Sequence, residues 1–189
     1  MKLYRRVLAI EDGCFTVEKR LLDNAILIGV VMNGFLLEDI LIDTVKVDGL
    51  DATDKALTFV SKAGMLDLIL LHGVPYAGFN LIDAHRVYEE TACPVVCILD
   101  RKPDIQRVER ALKMRFSDWQ ERLQVIKKNA PLELSLDGIK LIVVVKGLTL
   151  SEASRLLREI TRLGKLPEPL RVAKLIAREL PPLLLDHSP

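Results

Sequence analysis

The chain has 189 residues, half of them hydrophobic and 28 % charged, with 10 glycines and 9 prolines. That is the composition of one folded domain, and it excludes a disordered, collagen-like or solenoid protein. Apolar runs such as residues 25–32 fall far short of the ~20 residues a membrane helix needs, and the first residues carry no leader pattern. The expectation is therefore a single cytoplasmic domain over 1–189 with no membrane association, its core spanning about 5–180 and a short tail at 181–189. Cys14, Cys93 and Cys97 form no C-x-x-C pair and have no histidine at ligand spacing, so they read as buried, reduced thiols.

The net charge of +1 hides an asymmetry. Acids outnumber Lys and Arg in the first hundred residues, whereas bases outnumber acids in residues 101–178. One half is suited to a cation and the other to a polyanion, although solvated helix faces would produce the same pattern.

In chain order, residues 5–11 are an apolar run that stops at Asp12-Gly13. Residues 24–32 are dense in Ile, Leu and Val and end at Asn33-Gly34, a hairpin signal, and residues 35–47 resume and close at Asp48-Gly49. These three make an antiparallel meander. Residues 53–63 change to helical spacing, with Ala56, Leu57, Val60 and Ala63 on one face, Thr53 as N-cap and Gly64 as C-terminal glycine. A short strand at 66–71, a helix over 80–91 capped by Asn80 with Asp83 in the reciprocal position, and a strand at 94–99 follow. All-apolar strands separated by a helix imply parallel pairing covered on both faces. Helices at 103–116 and from Ser117, a strand at 139–146, a helix capped by Thr149 and Glu152, and a last helix from Pro167 through Leu180 complete the chain. The order predicts an α/β domain of ribonuclease-H-like type: an antiparallel three-strand meander, then parallel βαβ strands, with helices on both faces. No dinucleotide or P-loop glycine motif is present.

Acids fall where strands end. Glu11 and Asp12 close the first run, Asp48 and Asp51 follow the third, and His72 closes the fourth. Glu168 opens the last helix. Sites in open α/β sheets form beyond the carboxyl ends of strands, and carboxylates gathered there call for a cation such as Mg²⁺ or Mn²⁺. Taken singly, Asp12 and Asp48 are ordinary turn residues and Asp51 a helix-start acid.

The segments VDGLDAT (47–53), AGFN (77–80) with Asp83, and LPEPLRVA (166–173) resemble an archaeal family labelled endonuclease dU, similar to endonuclease V, over residues 7–180. The resemblance implies a ribonuclease-H-like fold and metal-dependent cleavage of DNA or RNA phosphodiesters at deaminated, uracil-type bases. It implies catalytic roles for Glu11, Asp12, Asp51, His72 and Glu168, with Glu11, Asp12, Asp51 and His72 as metal ligands. Arg171 matches the arginine of the final motif. Glu11 stands in place of an aspartate, and His72 stands where endonuclease V has its fourth-strand aspartate. The segment that endonuclease V wedges into DNA has no counterpart in residues 46–51.

Tyr76 is placed to stack on a base, and Arg101, Lys102 and Arg171 to meet phosphates. The competing reading is a nucleic-acid-binding module that kept the fold and lost part of its carboxylate set. A third reading, a phosphorylated metabolite in the cleft, lacks a phosphate-loop motif. The leucines of the tail are suited to packing on a second copy in a homodimer.

Overall fold

The computed structural model describes residues 5–13 and 23–180; Cys14 and the tail at 181–189 lie outside them. Within them the chain runs β1 (Arg6–Asp12), β2 (Asn24–Asn33), β3 (Leu36–Lys46), α1 (Ala52–Ala63), β4 (Leu68–His72), β5 (Pro75–Tyr76), β6 (Asn80–Leu81), α2 (Ala84–Thr91), β7 (Val95–Leu99), α3 (Ile105–Arg115), α4 (Trp119–Lys128), β8 (Leu132–Leu136), β9 (Ile139–Lys146), α5 (Leu150–Ile160) and α6 (Glu168–Glu179). Seven strands form one mixed sheet in the order β3-β2-β1-β4-β7-β9-β8, and β5 and β6 make a separate two-stranded ribbon.

The meander β1-β2-β3 is antiparallel, and β1, β4 and β7 are parallel neighbours. These central strands read RVLAIED, LILLH and VVCIL. Their continuous apolar character follows from coverage on both faces. One face packs against α1, α2, α3 and α4, where Phe59, Ala84, Leu112 and Leu123 meet Leu8, Ile10 and Leu71. The other packs against α5 and α6, where Leu157, Leu170 and Ala173 meet Val7, Ala9 and Leu70. No described helix is long and apolar enough to cross a membrane.

The local differences from the sequence expectation have physical causes. The first hairpin turns on Gly34-Phe35, not Asn33-Gly34: Asn33 pairs with Leu36, and Gly34 takes φ +60°, where glycine is unstrained. The strand at β9 runs antiparallel to β7 because it is the second arm of a hairpin with β8, turned at Asp137-Gly138, both at positive φ. That Asp-Gly pair was a hairpin signal in its own right. Asp51, not Thr53, is the residue before α1, and Asp83, not Asn80, caps α2 by accepting from the His85 and Arg86 amides. The Thr149–Glu152 capping box forms in full.

Candidate active-site cleft

The topology brings the carboxyl ends of β1, β4 and β7 side by side. Ile10 is level with Leu71, so Glu11 and His72 are the next residues on two adjacent parallel strands. The His72 Nδ1 proton donates to Glu11 Oε2 at 2.7 Å, with both side chains nearly buried. On the ring's other side, His72 Nε2 lies 3.4 Å from Oδ1 of Asp100, the residue following β7, whose side chain is largely exposed. The hydrogen bond to Glu11 holds the His72 pKa above its ordinary value, with Asp100 adding to this while burial and Lys174 oppose it.

Asp12 is the second acid of the pair. Its Oδ2 accepts the Ala77 amide at 2.7 Å. Burial raises its pKa to about 6, against the lowering from that amide, and the Glu11 charge pushes the same way as burial. The cleft around these groups has a volume of about 630 Å³ and is lined by Glu11, Asp12, His72 and Asp100 facing Lys174 and Arg178 of α6. A second cleft of about 510 Å³ shares Gly73, Pro75 and Asp100 with it and continues past Arg101, Lys102 and Arg107 over an apolar floor that includes Phe79 and Leu99.

Four residues proposed from sequence, Asp51, Glu168, Arg171 and Tyr76, are placed elsewhere. Asp51 does not line the cleft. Its carboxylate accepts from Asn80 Nδ2 at 2.6 Å and from the Lys46 amide. Asn80, fully buried, also donates to the Lys46 carbonyl and accepts the Ala52 amide. Asp48 Oδ1 accepts the Phe79 amide at 2.7 Å, and the Ala77 carbonyl accepts the Asp48 amide. Gly78 is at φ +91°, where a Cβ would strike the Asp48 carboxylate. Arg122 reaches the Gly49 and Phe79 carbonyls across the same junction. The VDGLDAT and AGFN segments are thus two loops locked to each other, and their polar residues serve that lock.

Glu168 is also outside the cleft. Ala177 lies beside Gly13 at the carboxyl end of β1, and Glu168 is nine residues earlier, about 13 Å back along the helix axis. There it forms a two-bond pair with Arg171, at 2.8 and 2.5 Å. The Arg171 guanidinium holds the Glu168 carboxyl below its usual range. Both residues of the final motif therefore stand toward the opposite end of the sheet from Glu11.

Tyr76 is fully buried. Its hydroxyl accepts the His72 amide at 3.0 Å and donates to the Ile10 carbonyl at 3.1 Å. It cannot stack on a base, and instead ties together the backbones of the two strands immediately before Glu11 and His72. Arg101 and Lys102 are exposed on the second cleft, as a phosphate-contacting role requires. Three residues of the cleft were missed. Asp100 obeys the same strand-end rule as Glu11, and Lys174 and Arg178 share one flank of a helix at i, i+4 spacing.

Among the described residues, no three His, Cys, Asp or Glu side chains stand as a ready metal cage. Glu11 spends one oxygen on His72, and Asp12 spends one on Ala77. The donor set nevertheless fits a divalent cation. Burial is the main reason that the Asp12 pKa is pushed up to about 6, with the adjacent Glu11 charge adding to it, and a cation beside the two acids would favour their charged forms. The imidazole favours Mn²⁺ over the harder Mg²⁺.

A mixed sheet of this strand order, with helices on both faces and acidic groups at the carboxyl ends of its central strands, defines a ribonuclease-H-like α/β domain. The Endonuclease dU family matches residues 4–181, and the chain belongs to that family. It is 42 % identical to a UPF0215 protein of Thermococcus kodakarensis, over 91 % of this chain and 90 % of that one. Among solved structures, it is similar to a protein of unknown function from Archaeoglobus fulgidus, with TM-score 0.80 and 31 % identity over 92 % of this chain and 96 % of that one. The fold is shared with endonuclease V of Ciona intestinalis, solved with a 24mer DNA containing an inosine. There the TM-score is 0.57 and the identity 12 %, covering 90 % of this chain and 82 % of that one.

Proposed function

We propose that the protein is a divalent-metal-dependent nuclease cutting DNA or RNA phosphodiesters beside deaminated, uracil-type bases, with the Glu11–Asp12–His72–Asp100 cleft as its centre. The observation that carries this reading is the convergence of three carboxylates and an imidazole opposite Lys174 and Arg178 in one open cleft. The family's name and the DNA in the structure of the Ciona relative support the substrate class.

Glu11, Asp12 and Asp100 would hold the cation, with His72 at the edge of the site. When bound, the cation supplies an acidified water as nucleophile and charge neutralisation at the phosphate. Lys174 and Arg178 bind the phosphate oxygens from the opposite wall. His72 is held by Glu11 through Nδ1, which leaves Nε2 facing Asp100 and the cleft. From Nε2 it gives a proton to the oxygen leaving phosphorus as the phosphodiester bond breaks. Arg101, Lys102 and Arg107 carry the strand onward along the second cleft.

The test is incubation with uracil- and inosine-containing oligonucleotides plus Mn²⁺ or Mg²⁺. Cleavage is expected, and a rate no higher than that of a Glu11→Ala, Asp12→Ala double variant sinks the reading. One observation favours the alternative of a binding module: a histidine lines the cleft where the resemblance leads one to expect an aspartate. Metal-independent binding without cleavage would establish that alternative.

A further inference from the structure

The second cleft sorts its lining by burial. Its charged residues, Asp100, Arg101, Lys102, Asp104 and Arg107, are all exposed, whereas Phe79, Leu99, Pro103, Val108 and Ala111 are half-buried. The result is an apolar floor inside a charged rim. Both acids of the rim are engaged: Asp100 faces His72, and Asp104 caps α3 by accepting the Arg107 amide at 3.1 Å. Farther along the chain, Lys113 and Arg122 are held by Glu109 and Asp118. Among the described residues, Arg101, Lys102 and Arg107 take part in no ion pair, so the rim presents three cations to an anionic ligand.

Phe79 is the aromatic ring of this lining, and it is fixed from several sides. Its amide donates to Asp48 and its carbonyl accepts from Arg122, both at 2.7 Å. Its ring meets Phe116 edge-on at 5.7 Å, and the Arg122 guanidinium lies 4.2 Å over the Phe116 ring. A ring held in this way and still partly exposed in a cleft is a stacking platform, with little freedom left to lose when a second ring lies on it. The side chains of the floor carry no hydrogen-bonding group, so a flat face is accepted without its edge being read.

We infer that the second cleft seats an unpaired base of a single-stranded nucleic acid over Phe79, with the neighbouring phosphates on Arg101, Lys102 and Arg107. The occupant follows from charge and continuity. The cleft shares Gly73, Pro75 and Asp100 with the active-site cleft, so a strand held between Asp100 and Lys174 leads directly onto this floor. In a duplex the base faces are covered by their neighbours and cannot reach the floor, so the cleft selects strandedness. It does not select base identity, because stacking on an apolar platform tolerates every base. The inference rests on the nuclease reading only in taking nucleic acid as the ligand. It adds that the strand is single, and that discrimination of uracil-type bases is made outside this cleft.

Fluorescence anisotropy of the full chain in EDTA, with oligo(dT), oligo(dC) and a duplex hairpin of equal length, tests it. The two single strands should bind within about threefold of each other and about tenfold more tightly than the hairpin. Phe79→Leu keeps an apolar contact with Phe116 but loses the ring, and Ala111→Glu sets a charge on the floor from α3. Each should weaken single-strand binding about fivefold or more while hairpin binding stays within about twofold. Phe79→Tyr keeps the ring and should bind as the parent does, which separates stacking from a folding defect. A hairpin bound as tightly as the single strands, a strong preference for one of the two strands, or single-strand affinity that both variants leave intact overturns the inference. Single-strand binding with this variant pattern but no cleavage would leave the inference standing and remove the nuclease reading. Cleavage of hairpin and single strand at equal rates would do the reverse.

Discussion

Glu11 and His72 face each other across two adjacent parallel strands, Nδ1 to Oε2 at 2.7 Å, one residue beyond the last paired positions of β1 and β4. Neither side chain needs a loop to reach the other. The pair is set by strand register, and the Tyr76 hydroxyl, bound to the backbone of both strands, fastens that register at the rim of the cleft.

The first prediction concerns the identity of position 72. An imidazole neutralises Glu11 and discourages a hard cation, whereas a carboxylate there would add to the negative charge. His72→Asp should raise the ratio of Mg²⁺-supported to Mn²⁺-supported cleavage at least tenfold. Parallel assays in the two metals measure this, and an unchanged ratio would mean that position 72 has no influence on which cation the site takes.

Tyr76→Phe removes a fully buried hydroxyl that makes two hydrogen bonds and leaves the His72 amide without its partner. A loss of about 1–2 kcal/mol of stability is expected, read by urea denaturation. If Tyr76 instead bound a base from an exposed position, oligonucleotide affinity would fall and stability would not.

The contrast between Glu11 and Tyr76 shows what was legible in the sequence. Six of the seven strands of the main sheet, their order in its first half and the strand-end acids follow from period, turn residues and apolar runs, all of which are local, whereas β8 and the short β5 and β6 were not read from the sequence. Asp51, Tyr76 and Glu168 were misplaced because where each side chain ends up is fixed by tertiary packing, which local pattern does not carry. Asp51 is claimed by Asn80, Tyr76 by Ile10 and His72, and Glu168 lies toward the end of α6 away from the cleft. A motif shared with a family marks a constrained position, and at 47–53 and 77–80 the visible constraint is the locking of two loops. Asp100 was legible by the same rule as Glu11. Lys174 and Arg178 were not, since which flank of α6 faces the cleft is fixed only by packing.

The loop lock gives the next prediction. Asn80→Ala leaves the buried Ala52 amide and the Lys46 carbonyl without this side chain's hydrogen bonds. It should cost about 2–3 kcal/mol. Glu168→Gln, by contrast, should leave cleavage within about twofold of the parent, because the residue lies well away from the cleft. A large rate loss in Glu168→Gln with normal stability would return that residue to the catalytic set.

Acid stability should depend on Asp118. Its hydrogen bond to the buried Arg122 holds its carboxyl below the usual value. A depressed folded-state pKa contributes stability that is present above the unfolded value of about 3.8 and is lost as pH falls through the folded value. Asp118→Asn should therefore destabilise the protein at neutral pH and flatten the acid limb of its stability curve below pH 4. Thermal melts between pH 2.5 and 7 measure this, and an acid limb of unaltered steepness would place its origin in other carboxylates.

The last prediction separates phosphate binding from folding. Lys174 and Arg178 line the cleft one helical turn apart, Lys174 half-buried and Arg178 exposed. If both contact phosphates, replacing them with alanine removes two counterion-releasing contacts. The slope of log affinity against log salt should then become shallower by about 1.4 on single-stranded and about 1.8 on double-stranded oligonucleotides. Binding should weaken to a similar degree on uracil-containing and undamaged sequences, because phosphate contacts carry no base information. Fluorescence anisotropy from 50 to 300 mM salt measures both quantities, with Lys165→Ala, at an exposed position outside the cleft, as the control for lost charge alone. A slope that shifts equally in the control would show that the two residues act only through net charge. A slope that stays fixed in the double variant would remove α6 from the nucleic-acid interface altogether.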